Sequence, residues 1–251
     1  LGSNSFRLQV GRIVNDQIYP LDGIKESVRL AAGLSPDRML DAAAQFRGLN
    51  ALRCFNERIR DYPPEAVRAV ATNTLRVAKN APHFLIQAEA ALGFPIEVIA
   101  GREEARLIYV GVAHTLPNPH RQQLVVDIGG GSTELTLLSG GRAAFACSLP
   151  IGTVRLLHAV SDDGAGRLGE PGRRLLDELI ALAASPSLTA IRALAEDRLE
   201  LVLGTGGNVE TLADLCPFHG PIATPRAIDA EAARRLLFDL GPLTLPEIGR
   251  A

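Results

Sequence analysis

Tryptophan is absent from this chain of 251 residues, and aromatic side chains make up only 4% of it. Its cores must therefore be built from Leu, Val, Ile and Ala rather than from stacked rings. Cysteine is scarce as well. Cys54, Cys147 and Cys216 are odd in number and far apart without metal-ligand spacing, which favours buried or free thiols over a disulfide framework or a zinc site. Neither sign of charge is in excess: 26 Lys and Arg oppose 28 Asp and Glu, for a formal net charge of −2. Net charge thus provides no general attraction for DNA, RNA or an anionic membrane. No apolar run approaches the roughly 20 residues of a membrane span, and the start of the chain lacks the basic-then-apolar pattern of a secretion signal. The expected compartment is the cytosol. The apolar share of 47% is enough to bury a sizeable core, and the length suits two modest domains at about 100 to 200 residues each.

Against this background the stretch Leu124-Val125-Val126-Asp127-Ile128-Gly129-Gly130-Gly131-Ser132-Thr133-Glu134-Leu135 stands out. An apolar strand ends in an acid and three glycines. Glycines without Cβ let backbone N–H groups turn toward an anion at close range, Ser132 and Thr133 add hydroxyls, and Asp127 offers oxygen to a hard cation such as Mg²⁺. An ordinary hairpin turn explains one or two glycines but not the flanking acids Asp127 and Glu134.

The loop occurs twice. Laid over residues 128–137 without a gap, Leu1-Gly2-Ser3-Asn4-Ser5-Phe6-Arg7-Leu8-Gln9-Val10 matches Gly2 to Gly129, Ser5 to Ser132 and Leu8 to Leu135. Each copy leads into a β-hairpin, through Gly11-Arg12-Ile13-Val14 and then residues 17–19 in the first, and Gly140-Gly141-Arg142 followed by residues 143–147 in the second. This is a duplicated supersecondary unit. In that register the counterpart of Asp127 falls immediately ahead of Leu1, which leads to the expectation of a short segment carrying an acid at that place.

Strands and helices alternate along the chain, an α/β pattern. Residues 24–30 alternate polar and apolar as a half-buried strand does, and Met39, Leu40, Ala43, Phe46, Leu49, Leu52, Phe55 and Ile59 recur at helical spacing over residues 36–60, predicting a core-packed helix. A strand at 67–71 runs into Thr72-Asn73-Thr74-Leu75-Arg76. Asn80 is expected to cap the next helix, which Gly93 ends before a strand at 96–99. Gly101 opens a further helix with Glu103 and Glu104 in its first turn, where carboxylates complement the helix dipole. Pro117-Asn118-Pro119 reads as a linker, giving domains of residues 1–121 and 122–251. Residues 161–171 read as a loop, 175–184 and 188–195 as packing helices, and 199–203 as a strand. That strand delivers Gly204-Thr205-Gly206-Gly207-Asn208 to a helix at 209–215, a third candidate phosphate loop. An irregular loop around 217–225, a helix at 229–240 and a terminal segment at 245–248 complete the reading.

On residues 1–8, 71–76, 101–108, 127–135 and 203–208 the chain resembles the exopolyphosphatase and guanosine pentaphosphatase family, within the actin, Hsp70 and sugar-kinase superfamily. The resemblance implies two ribonuclease-H-like, actin-like ATPase domains with a cleft between them, and Mg²⁺-dependent hydrolysis that releases orthophosphate from inorganic polyphosphate or guanosine pentaphosphate. It also implies residue roles. Glu104 matches the general base, with Glu103 left to the dipole, and Asp127 and Glu134 match acids that place metal or water. Gly2, Ser3, Asn4, Ser5, Arg76, Gly129, Gly130, Gly131, Ser132, Thr133, Gly204, Thr205, Gly206 and Gly207 become phosphate contacts, and a homodimer is a plausible assembly. Two other classes stay open: a phosphotransferase or ATPase with adenosine near residues 204–208, and a non-catalytic sensor of polyphosphate or guanosine alarmones.

Overall fold

The computed structural model describes residues 1–15, 17–115, 122–160, 170–195, 198–216, 228 and 232–233. The chain divides into two compact units, Leu1–Asn118 and Pro119–Ala251. The α/β class expected from the alternation of strands and helices is what the structure shows.

In the first unit, β1 (Phe6–Val14) and β2 (Gln17–Glu26) form an antiparallel hairpin, with a bulge between Val10 and Gly11. The strand expected at residues 24–30 is the end of β2 alone. Arg29 takes a left-handed conformation (φ 49°), and a 3-10 turn, Leu30–Gly33, follows. β3 (Ala69–Ala71) pairs in parallel with β4 (Ile96–Val98). Leu1 lies against β3: its amino group donates to the Val70 carbonyl at 2.8 Å and its carbonyl accepts from the Thr72 amide at 3.2 Å. Between these strands run α1 (Ala42–Ile59), the short α2 (Asn73–Val77) and α3 (Ala81–Leu92), and α4 (Gly101–Thr115) follows β4.

Helix α1 corrects the sequence reading in two ways. It starts at Ala42 rather than near Pro36, because the Asp41 side chain accepts from the Ala44 amide at 2.6 Å and caps it. Its buried face consists of Ala44, Gly48, Ala51, Leu52, Phe55 and Ile59, while Phe46 is 62% exposed and Met39, ahead of the helix, is also exposed. Small residues set this phase. A Cβ on Gly48 would lie 3.1 Å from the Phe84 ring and 3.5 Å from the Phe6 ring, so the glycine lets the helix approach the two fully buried aromatics of this core. Asn80 also departs from expectation. Its side chain does not cap α3; it donates to the Leu40 carbonyl and accepts from the Leu40 amide, each at 2.9 Å.

In the second unit, β5 (Gln122–Ile128), β6 (Thr133–Ser139), β7 (Arg142–Leu149) and β8 (Leu201–Thr205) form one sheet in the order β7-β6-β5-β8. The hairpins are antiparallel and β5–β8 is parallel. Leu124, Leu135, Leu137 and Leu149 pack from the sheet against Ala184, Ile191 and Ala195, which lie on α6 (Glu170–Ala195). The two helices expected at 175–184 and 188–195 are this single element, which continues across Pro186. As one helix it is long and apolar enough, by length and composition alone, to cross a membrane, although its apolar residues are interrupted by Ser185, Pro186, Ser187 and Arg192 and three of its residues pack against the sheet. The remaining helices are α5 (Thr153–Val160) and α7 (Gly207–Leu215). Most of the loop expected at 161–171 and the linker at 117–119 lie outside the described residues. So do the features expected beyond 216, apart from 228 and the helical residues 232 and 233.

Candidate active site

The glycine loop between β5 and β6 is held from behind. The Gly129 amide donates to the Ser132 carbonyl at 3.0 Å and closes the turn. The Gly129 carbonyl accepts from Thr153, and the Gly130 carbonyl accepts from Val154 and Arg155, at 2.9 to 3.1 Å. The first turn of α5 thus ties down the loop carbonyls, using N–H groups that a helix start would otherwise leave unsatisfied. The amides of Gly130, Gly131 and Ser132 make no hydrogen bond to another described residue, and these are the donors an anion can use. Gly152 makes the arrangement possible: a Cβ there would lie 2.6 Å from backbone atoms of Gly130 and Gly131.

The first loop repeats the device. The Gly2 amide donates to the Ser5 carbonyl at 3.1 Å, and the carbonyls of Ser3 and Asn4 accept from Ala31 (2.8 Å) and Arg29 (2.7 Å). The Ser3 hydroxyl is buried and accepts from the Thr74 hydroxyl at 2.8 Å, which fixes its oxygen and leaves its own proton to donate.

Arg76 and Glu104 meet within the same unit. Arg76 Nη1 donates to Glu104 Oε2 at 2.7 Å and to the Ile99 carbonyl at 2.9 Å, and both side chains are largely buried, at 17% and 15% exposure. Arg76, expected to contact phosphate, is therefore shared with the acid, which leaves Nε and Nη2 without a bond to described residues. Ile99, which Arg76 bonds, donates in turn to the Ala71 carbonyl at 3.0 Å, between Val70 and Thr72, the two residues that Leu1 bonds, and this places the pair near the root of the first loop. Glu103 turns elsewhere. It forms a two-pronged pair with Arg106, at 2.7 and 2.8 Å, and that hydrogen bonding holds its carboxyl below the usual range. Of the adjacent acids, Glu104 is the one built into a buried polar cluster.

At the ends of β5 and β8 the second and third loops lie side by side, since Asp127 and Thr205 are parallel-strand partners. The Thr205 hydroxyl donates to Asp127 Oδ1 at 2.8 Å, and Asn208 Nδ2 donates to the Ile128 carbonyl at 2.7 Å. Gly206 has φ 89°, and a Cβ on it would lie 2.7 Å from Asp127 Oδ1. Gly204 admits Val209, and Gly207 begins α7. Thr133 turns its hydroxyl to the Ile151 carbonyl at 2.6 Å, so it fastens the loop. Glu134 is 2% exposed and accepts from the Ser148 hydroxyl at 2.6 Å. Sequence reasoning missed Thr74, Ser148 and Gly152. Among these only Gly152, directly ahead of a helix, carried a local signal.

Two anion-ready loops of matching construction, one beside a buried Arg–Glu pair and the other beside two acids, define an α/β protein equipped to handle phosphoryl groups. The chain belongs to the Ppx/GppA phosphatase family, whose model matches residues 9–237. Among solved structures it is similar to an exopolyphosphatase from Cytophaga hutchinsonii, at 25% identity and a TM-score of 0.84 over 98% of this chain and 80% of that one. It is also similar to the PPX-GPPA enzyme of Aquifex aeolicus, at 26% identity and a TM-score of 0.72 over 100% of this chain and 81% of that one. Phosphatase chemistry follows from the family.

Proposed function

We propose that this chain hydrolyses terminal phosphoanhydride bonds with Mg²⁺ present, releasing orthophosphate from inorganic polyphosphate or guanosine pentaphosphate. The observation that carries the proposal is the Arg76–Glu104 pair near the root of the first loop. A hydrolase needs a base for water, and Glu104 is held through one oxygen while Oε1 has no bond to described residues and can accept a proton from water. Arg76 aligns that carboxylate through Nη1 and retains donors that suit a phosphoryl oxygen. The amides of each loop are fixed dipoles that suit a phosphate's negative charge and cost no reorganisation during reaction. The activity of the C. hutchinsonii relative, an exopolyphosphatase, supports the polyphosphate arm of the reading.

The donor set suits Mg²⁺. Asp127 and Glu134 are directly opposite partners on β5 and β6, which puts two carboxylates on one face of the sheet. Mg²⁺ commonly takes one or two protein carboxylates and completes its shell with water and substrate phosphates. Asp127 would hold it, with Glu134 alongside. When bound, the ion neutralises charge on the phosphoryl group being transferred.

The test is orthophosphate release from long-chain polyphosphate, guanosine pentaphosphate and ATP in parallel, with and without Mg²⁺. Release from either of the first two that needs Mg²⁺ and exceeds release from ATP supports the proposal. Phosphorylation of an acceptor with little free phosphate would replace it with a phosphotransferase, and tight binding without turnover would replace it with a sensor.

A further inference from the structure

Four side chains form one rung across the second unit's sheet. Ser148 on β7 pairs in register with Glu134 on β6, Glu134 with Asp127 on β5, and Asp127 with Thr205 on β8. Directly paired residues of neighbouring strands point to the same face, and the hydrogen bonds agree: Ser148 donates to Glu134 Oε1 at 2.6 Å and Thr205 donates to Asp127 Oδ1 at 2.8 Å. Each inner acid is thus held by a hydroxyl from the strand outside it. A hydroxyl at these places serves a carboxylate in a way that Ala or Val cannot, because it donates a proton while its methylene or methyl packs in the sheet. Gly206 adds to the grip on Asp127, since its missing side chain leaves room for Oδ1 where a Cβ would stand 2.7 Å away.

We propose that Ser148 and Thr205 are positioning residues for a divalent cation, which turn the carboxylates of Glu134 and Asp127 so that the two acids bind the ion together. The inference rests on the metal-dependent reading above and reassigns Thr205, expected from sequence to touch phosphate, to the orientation of an acid. The physical argument is one of preorganisation. Two acids opposed across a ladder repel and swing apart if unrestrained, and a donor on the far side of each restricts that motion before any ion arrives. Supporting groups of this kind commonly change metal affinity by about 10- to 100-fold when removed.

The experiment measures binding of Mn²⁺, a paramagnetic stand-in for Mg²⁺, to the protein alone by electron paramagnetic resonance, and separately the Mg²⁺ dependence of phosphate release. Ser148→Ala and Thr205→Val are each expected to weaken Mn²⁺ binding by about tenfold or more, with cooperative unfolding retained in the absence of metal. Thr205→Ser and Ser148→Thr, which keep the hydroxyl, are expected to restore binding. In turnover, the two disruptive variants shift the Mg²⁺ concentration for half-maximal rate upward and recover at high Mg²⁺. Unchanged Mn²⁺ affinity in both disruptive variants would overturn the inference, as would absence of Mn²⁺ binding by the unaltered protein. An equal loss in the hydroxyl-retaining variants would overturn it too, because packing would then account for the effect. Failure of the proposed activity is distinguishable: Mn²⁺ binding that responds to the hydroxyls without any phosphate release would leave the positioning role intact and remove the hydrolase.

Discussion

The two glycine–serine loops share a backbone and differ in their surroundings. Each is closed by one amide-to-carbonyl bond, Gly2 to Ser5 at 3.1 Å and Gly129 to Ser132 at 3.0 Å, and each has its carbonyls drawn backward by the segment after its hairpin. In the second unit that segment is the first turn of α5, three hydrogen bonds strong and packed through Gly152. In the first unit it is the left-handed Arg29 and a 3-10 turn, assisted by the Thr74–Ser3 bond. The sheets differ too. β5 joins a hairpin to a parallel neighbour in one four-stranded sheet, whereas in the first unit the hairpin and the β3–β4 pair are separate two-stranded sheets, and Leu1 is what lies along β3. The shared part is what a phosphate needs. The differing part assigns chemistry, with a base and a guanidinium beside one loop and a pair of acids beside the other.

Substitution of Gly152 tests the helix-anchored loop most severely. Gly152→Ala would force its Cβ against the backbone of Gly130 and Gly131, and a loop displaced by about 1 Å is expected to lose about 100-fold in kcat/KM; steady-state phosphate release reads it. A loss no greater than that of an exposed-surface control would show that the anchor is dispensable. Arg76→Lys probes the other side. It keeps the charge but cannot serve the acid, the Ile99 carbonyl and a phosphate with one planar fork, so kcat is expected to fall by about tenfold, the worth of one charge-assisted hydrogen bond. Mn²⁺ binding should not change, because the bonds of Arg76 are to Glu104 and Ile99 and not to Asp127 or Glu134; a parallel loss would break the division of roles. Gly2→Ala and Gly129→Ala sharpen the comparison, since the new Cβ would meet the Ser5 carbonyl at 2.9 Å and the Ser132 carbonyl at 3.1 Å. Losses within about threefold of each other, under 1 kcal/mol, are expected from kinetics on both. Thr74→Val should have the smallest effect on turnover. It removes the buried bond to Ser3 and is expected to cost about 1 to 3 kcal/mol of stability by urea denaturation, with phosphate release little altered.

Much of this organisation was legible because it repeats. The match of Gly2 to Gly129 and Ser5 to Ser132 in the sequence became the same closing bond in both loops, and Gly140-Gly141 located the turn of the second hairpin, whereas in the first Gly11 is a bulge within β1 and Val14 pairs with Gln17 across the turn. Glu104 was singled out by resemblance, and its link to Arg76, 28 residues away, could not be read from either segment alone. The same limit hid Ser148 and Thr74, whose partners are 14 and 71 residues distant, and it misdirected Asn80, which serves Leu40 rather than its own helix. For α1 the error was of another kind. Large apolar residues predicted the buried face, and Leu52, Phe55 and Ile59 do lie on it, but Ala44, Gly48 and Ala51 complete it where the helix meets Phe6 and Phe84, and Phe46 is left in solvent. Pro186 suggested a break between two helices, yet α6 runs through it.

The most direct test of the account is Glu104→Gln, with orthophosphate release and equilibrium binding of long-chain polyphosphate measured on the same sample. The amide keeps the size of the carboxylate and an oxygen for Arg76 but cannot take a proton from water. The account predicts that release falls by about 10³-fold while polyphosphate binding persists. Release close to that of the unaltered protein, with binding intact, would contradict it and remove Glu104 as the base.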